Sequence, residues 1–464
     1  MKKLTLSVIA LLAAGCAVGP KYKKPVIDTP GAFRGENSSP ASAASADSLG
    51  NEKWWEVFDD PVLQQLIRTA LQQNYDLRIA ASRVLQAQAQ LGITRANQFP
   101  MAGAGAQAFS ERNPKISSAF PSYEANAGQL DLSVIWNLDF WGKYRRQTES
   151  ARASLLASEW GRRAVLTSVV SSVATAYFQL RELDSALRIS KDTLNSRQDS
   201  LRLTNVLAKN GSASLLDVKQ SEQLVYTAAE TIPDLERQIS QQENLLSILL
   251  GENPTAIPRG RALTAQPNPP TIPAGLPSEL LERRPDIREA EENLIAANAQ
   301  IGVAKAAYFP SISLTGTAGF ESYALNRLFT GSAGLWNTAA SLTQPVFEAG
   351  GLRSGLRLAE AQEQQMLLTY KQTIIEAFQQ VSDSLVACQK DRQFREQQEL
   401  LTAAAQETDR LSNTLYQHGG ASYLQVLTAE TNYFAAQLNL AQAQLNERLA
   451  LVQLYNALGG GWQQ

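Results

Sequence analysis

Between residues 129 and 140 the chain alternates. Leu130, Leu132, Val134, Trp136, Leu138 and Phe140 are apolar, and Gln129, Asp131, Ser133, Asn137 and Asp139 between them are polar, with Ile135 the one departure. Period two predicts a strand with one greasy and one wet face. A weaker version follows a second Phe-Pro, where Ile312, Leu314 and Ala318 face Ser311, Ser313, Thr315 and Thr317. Two hairpins, about 99–140 and 309–347, give four strands. Little sequence remains to cover their apolar faces, and a membrane barrel solves this by turning them to lipid. Four strands cannot close a barrel, because an open edge in lipid leaves backbone groups unpaired. Several chains must therefore share one cylinder, and the strand count alone leaves their number open.

The rest of the pattern is helical. Amphipathic helices are expected over Pro61–Asn97 and Ser278–Ala307, each broken by Phe-Pro. From Lys143 to Asn210, and from Leu352 to His418, there is no proline and one glycine each (Gly161, Gly355). Each stretch could run about 100 Å as helix at ~1.5 Å per residue. Leu166, Val170, Val173, Tyr177 and Leu180 are spaced 4-3-4-3, and Ile374, Phe378, Val381, Leu385 and Cys388 repeat that spacing. Such a seam packs helix on helix. An ordinary coiled-coil stalk would carry it too, so the helices alone do not decide function.

The chain is written twice. Residues 75–100 match 285–310 at an offset of 210, through Asp76/Asp286, Arg78/Arg288, Gln90/Gln300 and Phe99/Phe309. At offset 208, Gly142 pairs with Gly350, Asn210–Val218 with His418–Val426, and Gly251 with Gly459. The expected organisation is a signal peptide at 1–15, a tether at 16–59, a first repeat at 60–251, a linker at 252–277, a second repeat at 278–460 and a tail at 461–464.

The first residues are a targeting segment. Lys2 and Lys3 precede an apolar stretch, Leu4–Ala14, too short to span a bilayer, and LAAGC ends at Cys16 in the manner of a bacterial lipobox. Cys16 is the expected site of diacylglycerol and palmitoyl attachment; Ala17, rather than Asp, implies passage to the outer membrane. An ordinary secretory signal is the competing reading. Only Cys388 would then remain as a thiol, so no disulfide within the chain is expected. The single histidine, His418, argues against His-based metal clusters. With net charge −2 the composition proposes no nucleic-acid partner. No GxSxG, Walker loop or metal-ligand spacing occurs, so neither an enzyme nor a cofactor beyond the lipid is expected.

CAVGPKYKKP (16–25), WWEVFDDPVLQQLI (54–67), NYDLRIAASR (74–83), FWGKYRR (140–146), LTQPVFEAGG (342–351) and LYNALGGGW (454–462) together resemble the lipoprotein branch of the TolC-like outer membrane factors. These are exit ducts of tripartite efflux systems. The resemblance implies an α+β membrane fold: a homotrimer with a 12-stranded transmembrane β-barrel, four strands per chain, continuing into a periplasmic α-helical barrel. It further implies partnership with a periplasmic adaptor protein and an inner-membrane pump of the resistance-nodulation-division type, set in outer-membrane lipid. Carried onto this chain, the adaptor would dock at two hairpin tips, Lys209, Asn210, Gly211 and Ser212, and Gln417, His418, Gly419 and Gly420. A periplasmic constriction would involve Leu216, Asp217, Leu424, Gln425 and Thr428. Many relatives are acidic where this chain has Gln425 and Thr428, which argues against a strongly anionic gate. A periplasmic adaptor or a structural coiled-coil lipoprotein is the alternative, and neither needs duplicated strands.

Overall fold

The computed structural model describes residues 17–31, 33–34, 53–114, 123–266 and 277–462. Cys16 and most of the proline-rich stretch lie outside them. The elements, in chain order, are α1 (Trp54–Val57), α2 (Pro61–Gln73), α3 (Tyr75–Ala96), β1 (Met101–Asn113), β2 (Tyr123–Leu138), α4 (Lys143–Lys209) and α5 (Leu215–Leu250). The second half repeats them as α6 (Pro277–Arg283), α7 (Pro285–Ala306), β3 (Ser311–Ser322), β4 (Gly334–Thr343), α8 (Gly351–Gln417) and α9 (Tyr423–Ala457). Helices α4 and α8 are each 67 residues long. No helix among the described residues is long and apolar enough to cross a membrane.

The chain divides into two compact units. One comprises residues up to Val26, Arg83–Glu159 and Glu289–Lys371; the other comprises Ile27–Ser82, Trp160–Arg288 and Gln372–Gln464. In the first, the four strands form one antiparallel sheet in the order β1-β2-β3-β4. The register aligns Ala104 with Leu132, Leu132 with Ala318 and Ala318 with Trp336; a second row joins Trp136, Leu314 and Ala340. One face is thus apolar across all four strands. The opposite face carries Gln107 bonded to Gln129 at 2.8 Å and Ser313 bonded to Ser341 at 2.7 Å. Leu132 is 65% exposed and Trp336 79% exposed, so nothing among the described residues covers the greasy side. The Trp141 indole N–H donates to the Pro310 carbonyl at 2.8 Å, and its ring stacks on Phe309.

In the second unit the middle of the expected seam is core. Val170, Val173, Tyr177 and Leu180 are fully buried, as are Ile374 and Val381, while Leu166, Phe378, Leu385 and Cys388 are half-buried; Ala377, outside the expected spacing, is fully buried beside them. Leu63, Ile67 and Ala70 of α2, and Leu246 and Leu250 of α5, are also buried.

The helix expected from Pro61 to Asn97 is two helices, broken at Asn74. Asn74 sits at ψ 130°; its side-chain N–H donates to the Leu249 carbonyl at 2.8 Å, while its Oδ1 accepts from the Leu77 amide at 3.1 Å. The break is thus set by a contact 175 residues away. Its counterpart, expected to run unbroken over Ser278–Ala307, divides at Arg284, where Pro285 begins α7.

Candidate functional site

Both hairpin tips are built by the same backbone device. At the end of α4 the Ser212 amide donates to the Leu207 carbonyl at 2.8 Å and the Gly211 amide to Ala208 at 3.1 Å. At the end of α8 the Gly420 amide donates to Leu415 at 2.8 Å and the Gly419 amide to Tyr416 at 3.0 Å. These are Schellman closures, which need a left-handed residue just past the helix. Gly211 (φ 78°) and Gly419 (φ 73°) supply it, and an added Cβ would meet nothing at either site. Glycine is therefore required by conformation and not by packing. His418 contributes to the second closure through a ring nitrogen 2.8 Å from the Thr414 carbonyl oxygen.

The return helices are capped alike. The Ser214 amide donates to Asp217 while the Asp217 amide donates to Ser214 Oγ. Across the other tip the Ser422 amide donates to Gln425 Oε1 at 3.1 Å. Asp217 and Gln425 therefore both serve as helix-capping groups. Thr428 turns its hydroxyl back to the Leu424 carbonyl at 2.8 Å.

The chain exposes all eight tip residues, Lys209 to Ser212 and Gln417 to Gly420. Leu215 and Leu216 just beyond the first turn are 72% and 65% exposed, and Leu424 beyond the second is 60% exposed. The packing seam is taken instead by Val218, Tyr423 and Val426, which are buried. Tyr423 thus belongs to the seam, while Leu215, Leu216 and Leu424 are apolar side chains left uncovered among the described residues.

Behind the tips lies a polar layer that sequence reading misses. Arg197 is 2% exposed; its Nη1 donates to the Leu224 carbonyl at 2.8 Å, and its guanidinium lies 5.0 Å from the Phe434 ring centre. Ser200 Oγ donates to Glu430 at 3.1 Å, and Asp409 lies in the same field. Burial, with the neighbouring Asp409 charge, pushes the Glu430 carboxyl above its ordinary range, against the opposing pull of Ser200 and Arg197. Burial likewise raises Asp409 and lowers Arg197. The signal was present in one form: Glu430 falls on the buried spacing Tyr423, Val426, Glu430, Phe434, where a charge is out of place.

Among the described residues no cluster of three or more His, Cys, Asp or Glu could hold a metal. Burial, followed by the Asp391 and Glu447 charges, pushes the Cys388 thiol up to about 11, which leaves it protonated and inert near neutral pH.

At the sheet, the first described residues are clasped to the strand–helix junction. The Val18 amide donates to the Trp141 carbonyl at 3.0 Å, and Ala17 lies against Gly142. Arg146 donates from Nε to the Val18 carbonyl and from Nη2 to that of Gly19, both at 3.3 Å. Tyr22 and Lys24 reach Glu291 of α7 at 3.3 and 3.6 Å.

An open four-stranded sheet, apolar on one face and polar on the other, together with paired coiled-coil hairpins, defines the class of channel-forming outer-membrane proteins. The description of a known family, outer membrane efflux protein, matches residues 66–252 and again 276–460, once for each repeat. The cation efflux system protein CusC of Escherichia coli O6:H1 is 36% identical over 464 residues, covering 100% of this chain and 99% of its own. The toluene efflux pump outer membrane protein TtgC of Pseudomonas putida is 37% identical over 467 residues, covering 99% and 96%. Among solved structures, the outer-membrane channel OprN superposes with a TM-score of 0.89 at 28% identity, covering 97% of this chain and 100% of that one. This chain belongs to the outer membrane efflux protein family. It is an outer-membrane efflux channel, a trimer whose chains each give four strands to the β-barrel, and it works with an adaptor and an inner-membrane pump in a tripartite system.

Proposed function

We infer that the channel passively conducts small toxic molecules from the periplasm to the outside, drawing its energy from a pump of the resistance-nodulation-division type. The observation that carries this reading is the conjunction of an uncovered apolar sheet face with two exposed, duplicated tips. The tips, Lys209–Ser212 and Gln417–Gly420, are the adaptor docking surface: they are polar, exposed and rigidly closed. Leu216 and Leu424 form the apolar constriction. Asp217, Gln425 and Thr428 hold the helix starts that carry it, because their side chains are engaged in backbone bonds. CusC and TtgC carry names for cation and toluene efflux, and cargo choice in this system rests with the pump.

In planar bilayers the purified protein gives ion-conducting steps, and Leu424→Asp raises closed-state conductance several-fold by wetting the constriction. Unchanged conductance, with unchanged antibiotic leakage in cells, would remove Leu424 from the gate. Cys16 carries the lipid, a reading supported by the lipobox residues and by the fastening of Val18 and Gly19, close behind it, to the strand–helix junction. Labelled palmitate is incorporated by the native chain and lost in Cys16→Ala; label persisting in the variant contradicts this.

A further inference from the structure

Three arginines meet in the unit that holds the sheet. Arg95 lies in the last turn of α3, and Arg145 and Arg152 lie on α4; with Gln98, Thr148 and Glu149 they line a cavity of about 310 Å³. This space is large enough for a headgroup-sized ligand. The groups are held from behind. Gln98 donates to Thr148 Oγ1 at 2.5 Å, Arg145 is oriented by Asp139 through its own amide at 2.8 Å and its Nε at 3.3 Å, and Glu149 accepts from Arg146 at 2.8 Å. Both nearby carboxylates, Asp139 and Glu149, are thus bonded to arginine. Arg145 also spends its Nη2 on the Asp139 and Phe140 carbonyls at 3.1 and 3.5 Å, so it stands beside the cavity as a fixed charge, and Arg95 and Arg152 are the guanidiniums that carry recognition. Planar guanidiniums in convergence suit phosphate oxygens, which they bind through paired N–H groups.

Position selects the source of the phosphate. Arg146, the partner of Glu149, also holds the Val18 and Gly19 carbonyls, so the cavity adjoins the strap that leads to Cys16. The Trp136 indole N–H donates to the Gln98 carbonyl at 3.1 Å, bringing an exposed aromatic from the end of β2 to the same place. An aromatic ring beside a basic pocket, at the step from strand to helix, marks the level of lipid headgroups. A lipidated cysteine carries acyl chains and no phosphate, so the anion must come from another molecule.

We propose that Arg95 and Arg152, with the fixed charge of Arg145 beside them, form a binding site for the phosphodiester headgroup of an anionic phospholipid in the periplasmic leaflet, beside the lipid anchor of the chain itself. The inference rests on the channel reading, which fixes the strand–helix junction at the membrane boundary. The test is native mass spectrometry of the full-length detergent-solubilised protein titrated with phosphatidylglycerol, phosphatidylcholine or inorganic phosphate. The native chain retains phosphatidylglycerol over phosphatidylcholine by about ten-fold, and added salt weakens the preference. The double variant R95Q/R152Q loses it, while E149Q, which removes the one carboxylate of the lining, strengthens it. Equal retention by the native and double-variant chains, or equal retention of the two lipids, overturns the proposal. Displacement of phosphatidylglycerol by millimolar phosphate assigns the site to free anions and also overturns it. Bilayer conductance of R95Q/R152Q, expected to match the native channel, separates failure here from failure of the channel reading.

Discussion

Asp60 shows at the residue scale how much one side chain can hold. It caps α2 by accepting from the Val62 and Leu63 amides, and its second oxygen accepts from the Tyr177 hydroxyl at 2.9 Å, Gln266 at 2.7 Å and the Arg261 amide at 3.1 Å. A Cβ on Gly260 would collide with both Asp60 and Tyr177, so only glycine lets the linker pass over them. Burial by itself would raise the Asp60 carboxyl, but the bonds from Gln266, Tyr177 and the two amides outweigh it and hold the group below the usual carboxylate range. Asp60→Ala should therefore lower unfolding free energy by about 3 kcal/mol, because buried donors lose their acceptor. A depressed carboxyl stabilises the fold above its unfolded value, near ~4, and that contribution fades as pH falls through the folded value. Thermal unfolding of the solubilised protein should thus show the gap between native and Asp60→Ala chains closing from pH 6 to pH 3. A gap independent of pH would assign the loss to packing. No reading of the sequence finds this node beyond its helix cap, since Tyr177, Arg261 and Gln266 lie 117 to 206 residues away.

At the scale of elements, legibility follows the range of the forces that set each one. Strand β2 was readable because its alternation is local and its apolar residues are large. Strand β1 was less so: its apolar face is Ala102, Ala104 and Ala106 alternating with Gly103 and Gly105, a contrast of one methyl group. Helices α4 and α8, their 4-3-4-3 seams and their glycine closures were legible for the same local reason. The interruption at Asn74 was not, because an asparagine can sit within an amphipathic run or cap a new helix, and here the distant Leu249 carbonyl holds the side chain that caps α3. The polar layer of Arg197 and Glu430 lay half in view. The tip residues could be named from sequence, yet their division into seam and uncovered leucines needed the packing of Tyr423 and Val426.

For the molecule as a whole, duplication and the open sheet carry the argument together. Each repeat supplies one hairpin, and β2 pairs with β3 to join them, which leaves the outer edges of β1 and β4 without partners among the described residues. In hydrocarbon such edges are untenable, at several kcal/mol for each unsatisfied group. Copies of the chain resolve both edges by pairing β4 of one with β1 of the next, and three copies give the twelve strands of the family barrel. The same assembly turns the row through Leu132, Ala318 and Trp336 toward lipid and the row through Gln107 and Gln129 toward water.

The mass of the particle extracted from membranes in mild detergent tests this most directly. Three chains per particle, each lacking the signal peptide, held together until heat or strong detergent separates them, is the predicted result. A particle containing one chain, stable in buffer without detergent, would contradict it.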